Sequence, residues 1–255
     1  MLTNHISALK AKSTVFGLNF SVWDHPNVKY FVKSVRINQP LKLTKRNIMD
    51  VATLTSLVQL CDYMYMGKVF KAVFLLAFFG FLRLSNISPH SYSAFDPSRH
   101  LTAGDLIFCK KYVKVVIKWS KTQQNRDSCK VLTLPRLKGS PICPHAACKS
   151  ALKLYNPHHQ DPLFQYPVQG HWQVLTDSRI RKCLATLIKK LGFPPSHFTF
   201  HTFRRSGATL AYNSHIPIQQ IKIHGQWTSD CVWTYIQSNH THGESIANAL
   251  ASAIM

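Results

Sequence analysis

An apolar run of eleven residues, AVFLLAFFGFL at positions 72 to 82, sets the first limit on how this chain can fold. A helix that crosses a bilayer needs about 20 apolar residues, so this run is too short to span a membrane. A helix built from it would have no polar side to turn toward water. We therefore predict a helix over residues 67 to 82 that is buried in the core of one large domain.

The chain around this helix shows helical spacing for much of its length. From Asp50 onward, apolar residues recur at three- and four-residue intervals, which is the spacing of one helix face. Similar patterns predict two short helices before residue 38 and two more that begin near Pro144 and Asp177. The last third of the chain is predicted to be helical at residues 201 to 212, 217 to 224, 229 to 237 and 244 to 254.

Between residues 105 and 134 the period changes to two, which indicates β-strands. In YVKVVIKW, apolar residues alternate with Lys114 and Lys118, while DSCKVLTLP and LIFC supply two partner strands. The connection SKTQQNRDS is wholly polar and predicts a hairpin tip that carries Lys121. The expected fold is therefore mainly α with a small antiparallel β-sheet, in the α+β class.

The balance of charges indicates a polyanionic partner. Lys and Arg total 31 against 10 Asp and Glu, which gives a formal net charge of +21. Such a chain repels itself unless a polyanion screens the charge. Nucleic acid is the usual partner, and an anionic membrane surface or a merely basic soluble protein are the alternatives that charge alone leaves open.

The cysteines and the first residues favour an intracellular protein. The seven cysteines are an odd number spread mostly through apolar segments, which is more typical of reduced thiols than of a disulfide framework. The opening MLTNHISALKAKS lacks the apolar centre of a secretory signal. We therefore expect the protein to remain inside the cell.

One predicted helix brings two phosphate-binding side chains to the same face. In HTFRRSGATLAYN, at 201 to 213, His201 and Arg204 are three residues apart and share a face, whereas Arg205 is turned about 100° away. A guanidinium offers a planar fork of donors to phosphate oxygens, and a histidine adds a donor or a proton. Because surface helices contain such pairs by chance, the motif needs support from elsewhere in the chain.

Four further residues supply that support. Arg83 ends the apolar helix, where a charge is costly unless it reaches water or a partner. Lys121 lies at the predicted hairpin tip, Trp227 lies in HGQWTSD, and Tyr235 follows that tryptophan by eight residues. Each residue alone has a structural explanation, as a helix-end charge, a solvated turn or a core aromatic.

Taken in order, these residues resemble the tyrosine recombinase (phage integrase) family. The family pattern is Arg, a hairpin Lys, His-x-x-Arg, His or Trp, and then the nucleophilic Tyr. Here it reads FLRLSNI, KWSKTQQ, HTFR, GQW and TYI, with the catalytic places held by Arg83, Lys121, His201, Arg204, Trp227 and Tyr235. The HTFRRSGAT motif and the spacing from GQWTS to the tyrosine are most similar to eukaryotic mobile-element members of the DIRS-like or Crypton-like kind.

The resemblance implies an enzyme that cleaves and rejoins DNA through a covalent 3′-phosphotyrosine, for site-specific recombination or integration of a mobile element. A phenol is a poor nucleophile at neutral pH, and neighbouring cations favour its ionised form. By resemblance, Tyr235 attacks the phosphate and Arg83 and Arg204 hold its two non-bridging oxygens. Lys121 is then the general acid toward the leaving 5′ oxygen, His201 assists proton transfer, and Trp227 hydrogen-bonds or packs against the phosphate.

No metal or other cofactor is expected. Two arginines and a lysine can supply the positive charge that other nucleases take from Mg²⁺, and the sequence has no carboxylate cluster for two metals. The segment CPHAAC, at 143 to 148, is an alternative zinc motif, but a second ligand pair at suitable spacing is not evident. The simpler interpretation of CPHAAC is a helix start with two small buried thiols.

Three departures or ambiguities qualify the resemblance. Asn86 stands where the family often has an acidic residue, three positions after the first arginine. His224 is an alternative to Trp227, although it lies eleven residues before the tyrosine, and we favour Trp227. The final segment, ESIANALASAIM, is amphipathic and predicts either a helix that docks on a neighbouring protomer or one that closes its own core.

The domain boundary is placed at the proline-containing polar segment INQPLKLTKRN, at 37 to 47. Residues 1–45 are interpreted as the remnant of an N-terminal helical, DNA-binding domain and residues 46–255 as the catalytic domain. The short first part leaves open a catalytically inactive, truncated or domesticated DNA-binding remnant. A type IB topoisomerase-like enzyme, with the same chemistry, is a further alternative.

The expected partner is double-stranded DNA. Besides the catalytic residues, Arg205, Lys118 and Arg126 are predicted to contact it. By resemblance we expect a homo-oligomer, a tetramer on DNA, with no membrane and no small-molecule substrate, and a nuclear location if the host is eukaryotic.

Overall fold

The chain divides into two compact units. The computed structural model describes residues 2–17, 25–38, 47–119 and 129–236. The units are residues 1–45 and 46–255, and the assignment of domains to them stays a prediction. The first unit contains helices α1, Leu2–Val15, and α2, Pro26–Asn38. That this unit is the remnant of a DNA-binding domain stays a prediction.

The second unit is built around the apolar helix predicted from the sequence. Helix α3, Val51–Cys61, begins at Asp50, whose carboxylate accepts a hydrogen bond from the Thr53 backbone N–H at 2.7 Å. Helix α4, Gly67–Phe79, has ten of its 13 residues buried. It packs against α3 and against two later helices, α6 (Pro144–Tyr155) and α8 (Phe200–Asn213). The apolar run thus forms the centre of the core.

Further helices of the second unit lie within the described residues. Helix α5, Leu84–Ile87, follows directly after Arg83, and α7 is Asp177–Lys190. Helix α9 is Ile218–Gly225, and the helix expected at 229 to 237 is a short 3₁₀ helix, Asp230–Thr234. The segment 244 to 254 lies outside the described residues. No described helix combines the length and apolar character that crossing a bilayer requires.

The predicted three-stranded sheet is present. Strands β1 (Leu106–Phe108), β2 (Tyr112–Ile117) and β3 (Lys130–Pro135) are antiparallel in the order β1-β2-β3. Burial alternates along β2, so that Val113, Val115 and Ile117 face the core. The prediction of a mainly α fold with a small antiparallel sheet is confirmed.

A second hairpin was not predicted. Strands β4 (Gln165–Val168) and β5 (His171–Val174) pair antiparallel between the helices predicted near Pro144 and Asp177. Gln169 and Gly170 connect them with φ values of +50° and +81°. Positive φ at both central residues is typical of a two-residue hairpin turn, which matches the right-handed twist of the strands. The strands are too short for their alternation to stand out.

A glycine lets α8 approach the end of α4 closely. A Cβ atom added to Gly207 would lie 2.3 Å from the Phe78 carbonyl oxygen and 2.6 Å from the Phe81 ring. Such contacts are far shorter than carbon atoms tolerate, so only glycine allows this approach. The contact places Arg204, one turn earlier on α8, beside the residues that follow α4.

Candidate active site

The centre of the site is Arg204, which α8 holds almost fully buried at 2% exposure. Its Nη1 donates to the Phe81 carbonyl, and its Nη2 donates to the Gly225 carbonyl at 2.6 Å. Phe81 has a φ of +49°, the left-handed region that L-residues seldom adopt. The guanidinium therefore joins the end of α4 to the end of α9 while lying inside the core.

Tyr235 packs against this guanidinium and two other rings. The Arg204 Cζ lies 5.5 Å from the centroid of the Tyr235 ring. The Tyr235 ring centroid is 4.9 Å from that of His201 and 5.1 Å from that of Trp227. The Tyr235 carbonyl accepts a hydrogen bond from the Thr209 hydroxyl at 3.3 Å, so α8 also anchors the tyrosine backbone.

Trp227 packs against both Arg204 and Tyr235. Its ring centroid is 3.9 Å from the Arg204 Cζ, a cation–π distance. Only a glycine at position 225 leaves room for the ring, because a Cβ there would lie 1.8 Å from the indole Cζ3. The sequence HGQW therefore supplies a carbonyl for Arg204, a gap for the ring, and the ring itself.

Three buried N–H groups of the predicted catalytic residues lack a hydrogen-bond acceptor in the described part of the chain. Arg83 Nη1, Arg204 Nε and Trp227 Nε1 are buried and have no hydrogen-bond partner among the described residues. In the same parts of the chain, no carboxylate lies within ion-pair distance of either arginine. Buried donors without acceptors are costly, and an anionic oxygen would satisfy them.

The two arginines repel each other in the absence of an anion. Burial lowers the pKa of the Arg204 guanidinium, and the neighbouring charge of Arg83 lowers this pKa further. The charge of an ionised Tyr235 phenol acts in the opposite direction and raises the Arg204 pKa. An anion between the two guanidiniums would remove the repulsion, since each cation is stabilised by an opposite charge close by.

Comparison with solved structures identifies the architecture. The chain superimposes on the XerH site-specific recombinase bound to palindromic difH substrate with a TM-score of 0.58 and 17% identity, over 78% of this chain and 51% of that one. On XerA recombinase it superimposes with a TM-score of 0.53 and 16% identity, over 87% of this chain and 72% of that one. On the Tn1549 transposon integrase in complex with transposon right end DNA it superimposes with a TM-score of 0.57 and 14% identity, over 94% of this chain and 82% of that one. The fold is that of a tyrosine recombinase.

The comparison of structures finds neighbours where the comparisons of sequence do not. Searches of protein-family models and of curated protein sequences gave no match. The chain spans about half the length of the XerH chain that it matches, 51%. The likeness to tyrosine recombinases therefore concerns the arrangement of helices and strands, and the roles of individual residues rest on the site itself.

Five of the six residues predicted to be catalytic meet in this recombinase fold. The Tyr235 ring contacts His201, Trp227 and Arg204, Arg204 also contacts Trp227, and the charge of Arg83 acts on Arg204. The sixth, Lys121, lies outside the described residues, as does Arg126, which was predicted to contact DNA. The catalytic roles of all six stay predictions.

The other two predicted DNA contacts are engaged within the protein. The Lys118 ammonium lies 2.6 Å from the Asp105 carboxylate and 3.4 Å from the Thr102 hydroxyl. Arg205 is buried, at 6% exposure. Their contacts with DNA stay predictions.

His224, the alternative to Trp227, lies beside the turn that follows α4. Its Nε2 donates to the Phe79 carbonyl at 2.8 Å, and its ring packs edge-on against Phe81 at 4.7 Å. Burial lowers the pKa of His224, and the charges of Lys130 and Arg204 also lower it. His224 therefore supports the turn after α4, while Trp227 occupies the place beside Arg204 and Tyr235.

Lys130 is a residue near the site that the sequence analysis missed. It is the first residue of β3 and is in phase with the buried Leu132 and Leu134. Burial lowers the pKa of Lys130, and the charge of Arg204 lowers it further. The alternation of KVLTLP contained this signal, since it places the lysine on the inner face of the sheet.

The segment CPHAAC starts α6. The Cys143 sulfur accepts hydrogen bonds from the backbone N–H groups of Leu137 at 3.2 Å and Ala146 at 3.4 Å, and so caps the helix. Cys148 is buried, and burial raises the pKa of its thiol. Within the described ranges, no group of three or more His, Cys, Asp or Glu residues is placed to hold a metal ion.

Replacing Gly225 by Ala is expected to disrupt the Trp227 position. The new methyl group would overlap the indole, so the ring must leave Arg204 or α9 must shift. We expect the free energy of unfolding to fall by about 1–3 kcal/mol, the usual cost of overpacking. Chemical denaturation measures this loss. In a Trp227→Ala background the same substitution should cost much less, and an equal cost there would contradict the steric explanation.

Proposed function

We propose that this protein is an enzyme of the tyrosine recombinase or integrase type, which cleaves and rejoins DNA strands through a covalent 3′-phosphotyrosine at Tyr235. The observation that carries the proposal is the packing of the Tyr235 phenol beside a buried arginine in a cluster with unsatisfied N–H donors. A DNA phosphodiester is an anion with two non-bridging oxygens that such donors recognise. The formal net charge of +21 is consistent with a DNA partner.

The proposed step is a displacement at phosphorus. The Tyr235 phenol oxygen forms a bond to phosphorus, and the bond from phosphorus to the 5′ oxygen breaks. The phenol loses a proton and the leaving 5′ oxygen gains one. No water is consumed, so the phosphotyrosine keeps the bond energy, and the reverse step can join a different 5′ hydroxyl.

The cations act by offsetting charge that develops on the phosphate. Arg204 is fixed at two carbonyl oxygens, and its remaining Nε and the Arg83 Nη1 are the donors that would hold the non-bridging oxygens. Donors that are already in place need no reorganisation when the charge develops, which is the main source of such catalysis. The Trp227 indole N–H is a third donor of this kind.

Two groups are proposed to move protons. His201 is proposed to assist transfer at the phenol, and the contact of its ring with that of Tyr235 supports this role. Lys121 is proposed as the general acid for the 5′ oxygen, on the strength of its place in the family pattern. These roles need a lysine and an imidazole within reach of one phosphate.

The biological role proposed is recombination or integration of a mobile element, of the eukaryotic DIRS-like or Crypton-like kind, by a DNA-bound tetramer in the nucleus. The motifs around His201 and Tyr235 support the mobile-element assignment. The structural neighbours include a transposon integrase and recombinases solved with their DNA substrates. These are properties of those proteins, and for this chain they remain part of the proposal.

The direct test is to look for the covalent intermediate. The protein is incubated with a library of nicked duplex DNA. After cleavage, the short segment between the scissile phosphate and the nick diffuses away with its 5′ hydroxyl. Rejoining is then impossible, and the covalent adduct accumulates. We expect an SDS-resistant adduct, and mass spectrometry of its nuclease- and protease-digested form should place the nucleotide on Tyr235. An adduct on another residue would overturn the assignment of the nucleophile. Salt-sensitive DNA binding without any adduct would instead favour an inactive DNA-binding remnant.

A further inference from the structure

The side chain of Asn86 joins two parts of the site that are far apart in sequence. Its Oδ1 accepts a hydrogen bond from the Arg83 backbone N–H at 3.1 Å, and its Nδ2 donates to the Trp119 carbonyl at 2.9 Å. Asn86 is only 4% exposed, so water does not compete strongly for these bonds. One partner is the backbone of a predicted phosphate-binding arginine, and the other is the base of the β2–β3 hairpin.

The two bonds require an amide at position 86. The Arg83 N–H can only donate and the Trp119 carbonyl can only accept, so the side chain between them must offer one acceptor and one donor. A carboxylate offers acceptors alone and would face the Trp119 carbonyl with two negatively polarised oxygens. The acidic residue common at this place in the resembling family could therefore keep the bond to Arg83 but not the bond to Trp119.

Other contacts hold the turn at Arg83 and the side chain of Trp119. The Asn86 backbone N–H donates to the Arg83 carbonyl at 3.0 Å, which closes the turn that begins α5. The Trp119 ring lies under the Arg99 guanidinium, 4.5 Å from Cζ to centroid, so its side chain is held separately. The Asn86 amide thus acts on the Trp119 backbone, at the point where the chain enters the segment that carries Lys121 two residues later.

We propose that Asn86 is a positioning residue, whose amide sets the base of the hairpin that carries Lys121 relative to the arginine that holds the phosphate. This inference rests on the proposed function, because it assigns Lys121 to the leaving oxygen. Proton transfer to a leaving group depends steeply on geometry, and a misplacement of about 1 Å can cost on the order of 10²-fold in rate. Asn86 contacts neither the phosphate nor the leaving group and acts through Trp119.

The first test compares two leaving groups. In one nicked DNA the scissile phosphate carries its normal 5′ oxygen, and in the other that oxygen is replaced by sulfur. A 5′ thiolate departs without a proton, because thiols ionise near pH 8.5 or about seven units below alcohols and water. In Asn86→Asp we expect cleavage of the oxygen substrate to slow by roughly 10- to 100-fold, while cleavage of the sulfur substrate stays within about threefold of the wild-type rate.

Two further variants separate the loss of the Trp119 bond from the loss of the Arg83 bond and from the change of charge. Asn86→Leu loses both hydrogen bonds and should slow both substrates, because the Arg83 backbone is released as well. Asn156→Asp makes the same change of charge at an exposed helix end and should leave both rates unchanged. Equal slowing of both substrates by Asn86→Asp would place its effect on the phosphate clamp and overturn the inference.

The second test does not depend on cleavage. Hydrogen exchange followed by mass spectrometry should show faster exchange in Asn86→Asp for peptides that cover the end of β2 and the beginning of β3, with α5 and α8 unchanged. Unchanged exchange around Trp119 would overturn the inference whatever the cleavage rates. If the wild-type protein forms no adduct with either substrate, the proposed function fails and the assignment of Asn86 to catalysis fails with it.

Discussion

Replacing Tyr235 by Phe is expected to reduce the covalent DNA adduct to background while DNA binding stays within about twofold, since the phosphate contacts that drive binding are kept. The substitution removes only the phenol oxygen, which is the atom proposed to attack phosphorus. The ring contacts with His201 and Trp227 and the backbone bond to Thr209 are retained, so the fold should be undisturbed. The measurement is SDS-resistant adduct on nicked DNA, alongside a salt-dependent binding assay.

A matched control is available on the surface of the same unit. Tyr63 is 89% exposed, and Tyr63→Phe makes the same chemical change away from the cluster. The adduct should form normally in this variant. If Tyr235→Phe keeps the adduct, another residue is the nucleophile. Loss of binding together with the adduct would mean that the phenol contributes to the structure or to affinity, and the chemical role would lose its support.

Replacing Arg204 by Lys is expected to lower the rate of DNA cleavage by roughly 10²- to 10³-fold, the usual effect of removing one preorganised donor from such a site. Lysine keeps the charge but has a single nitrogen. Its three N–H groups diverge from one atom, so they cannot reproduce the planar fork in which Nη1 and Nη2 reach the carbonyls of Phe81 and Gly225 while Nε stays available to the phosphate. Single-turnover cleavage of nicked DNA measures the loss.

The same substitution should also reduce stability, and this effect must be separated from catalysis. The buried carbonyls of Phe81 and Gly225 lose a charged partner, at a cost of about 1–3 kcal/mol each if left unsatisfied. Circular dichroism and denaturation would show whether the variant is folded at the assay temperature. Arg181→Lys, at a 59% exposed side chain on α7, is the control and should change neither quantity. A folded Arg204→Lys protein with normal cleavage would show that Arg204 does not bind the reacting phosphate.

Local patterns predicted the elements that depend on local spacing. The helix beginning after Asp50 has helical periodicity and an N-cap, and β2 alternates between buried and half-buried residues, so one window of sequence suffices for each. The β4–β5 hairpin was not predicted, because its strands have four residues each and its turn has a positive φ at a glutamine. A positive φ at glutamine is decided by the whole chain and has no composition signal.

In the candidate site, too, some features follow from the sequence and others only from the tertiary structure. The sequence by itself determined the residue types, their order and the shared helix face of His201 and Arg204, because these follow from covalent spacing and helix geometry. Only the tertiary structure decided that Arg204 bonds the Phe81 and Gly225 carbonyls, that His224 turns to Phe79, that Lys118 pairs with Asp105, and that Asn86 reaches Trp119. These contacts join residues far apart in the chain. They depend on how closely packed elements approach one another, and glycines such as Gly207 and Gly225 set that approach through the absence of an atom.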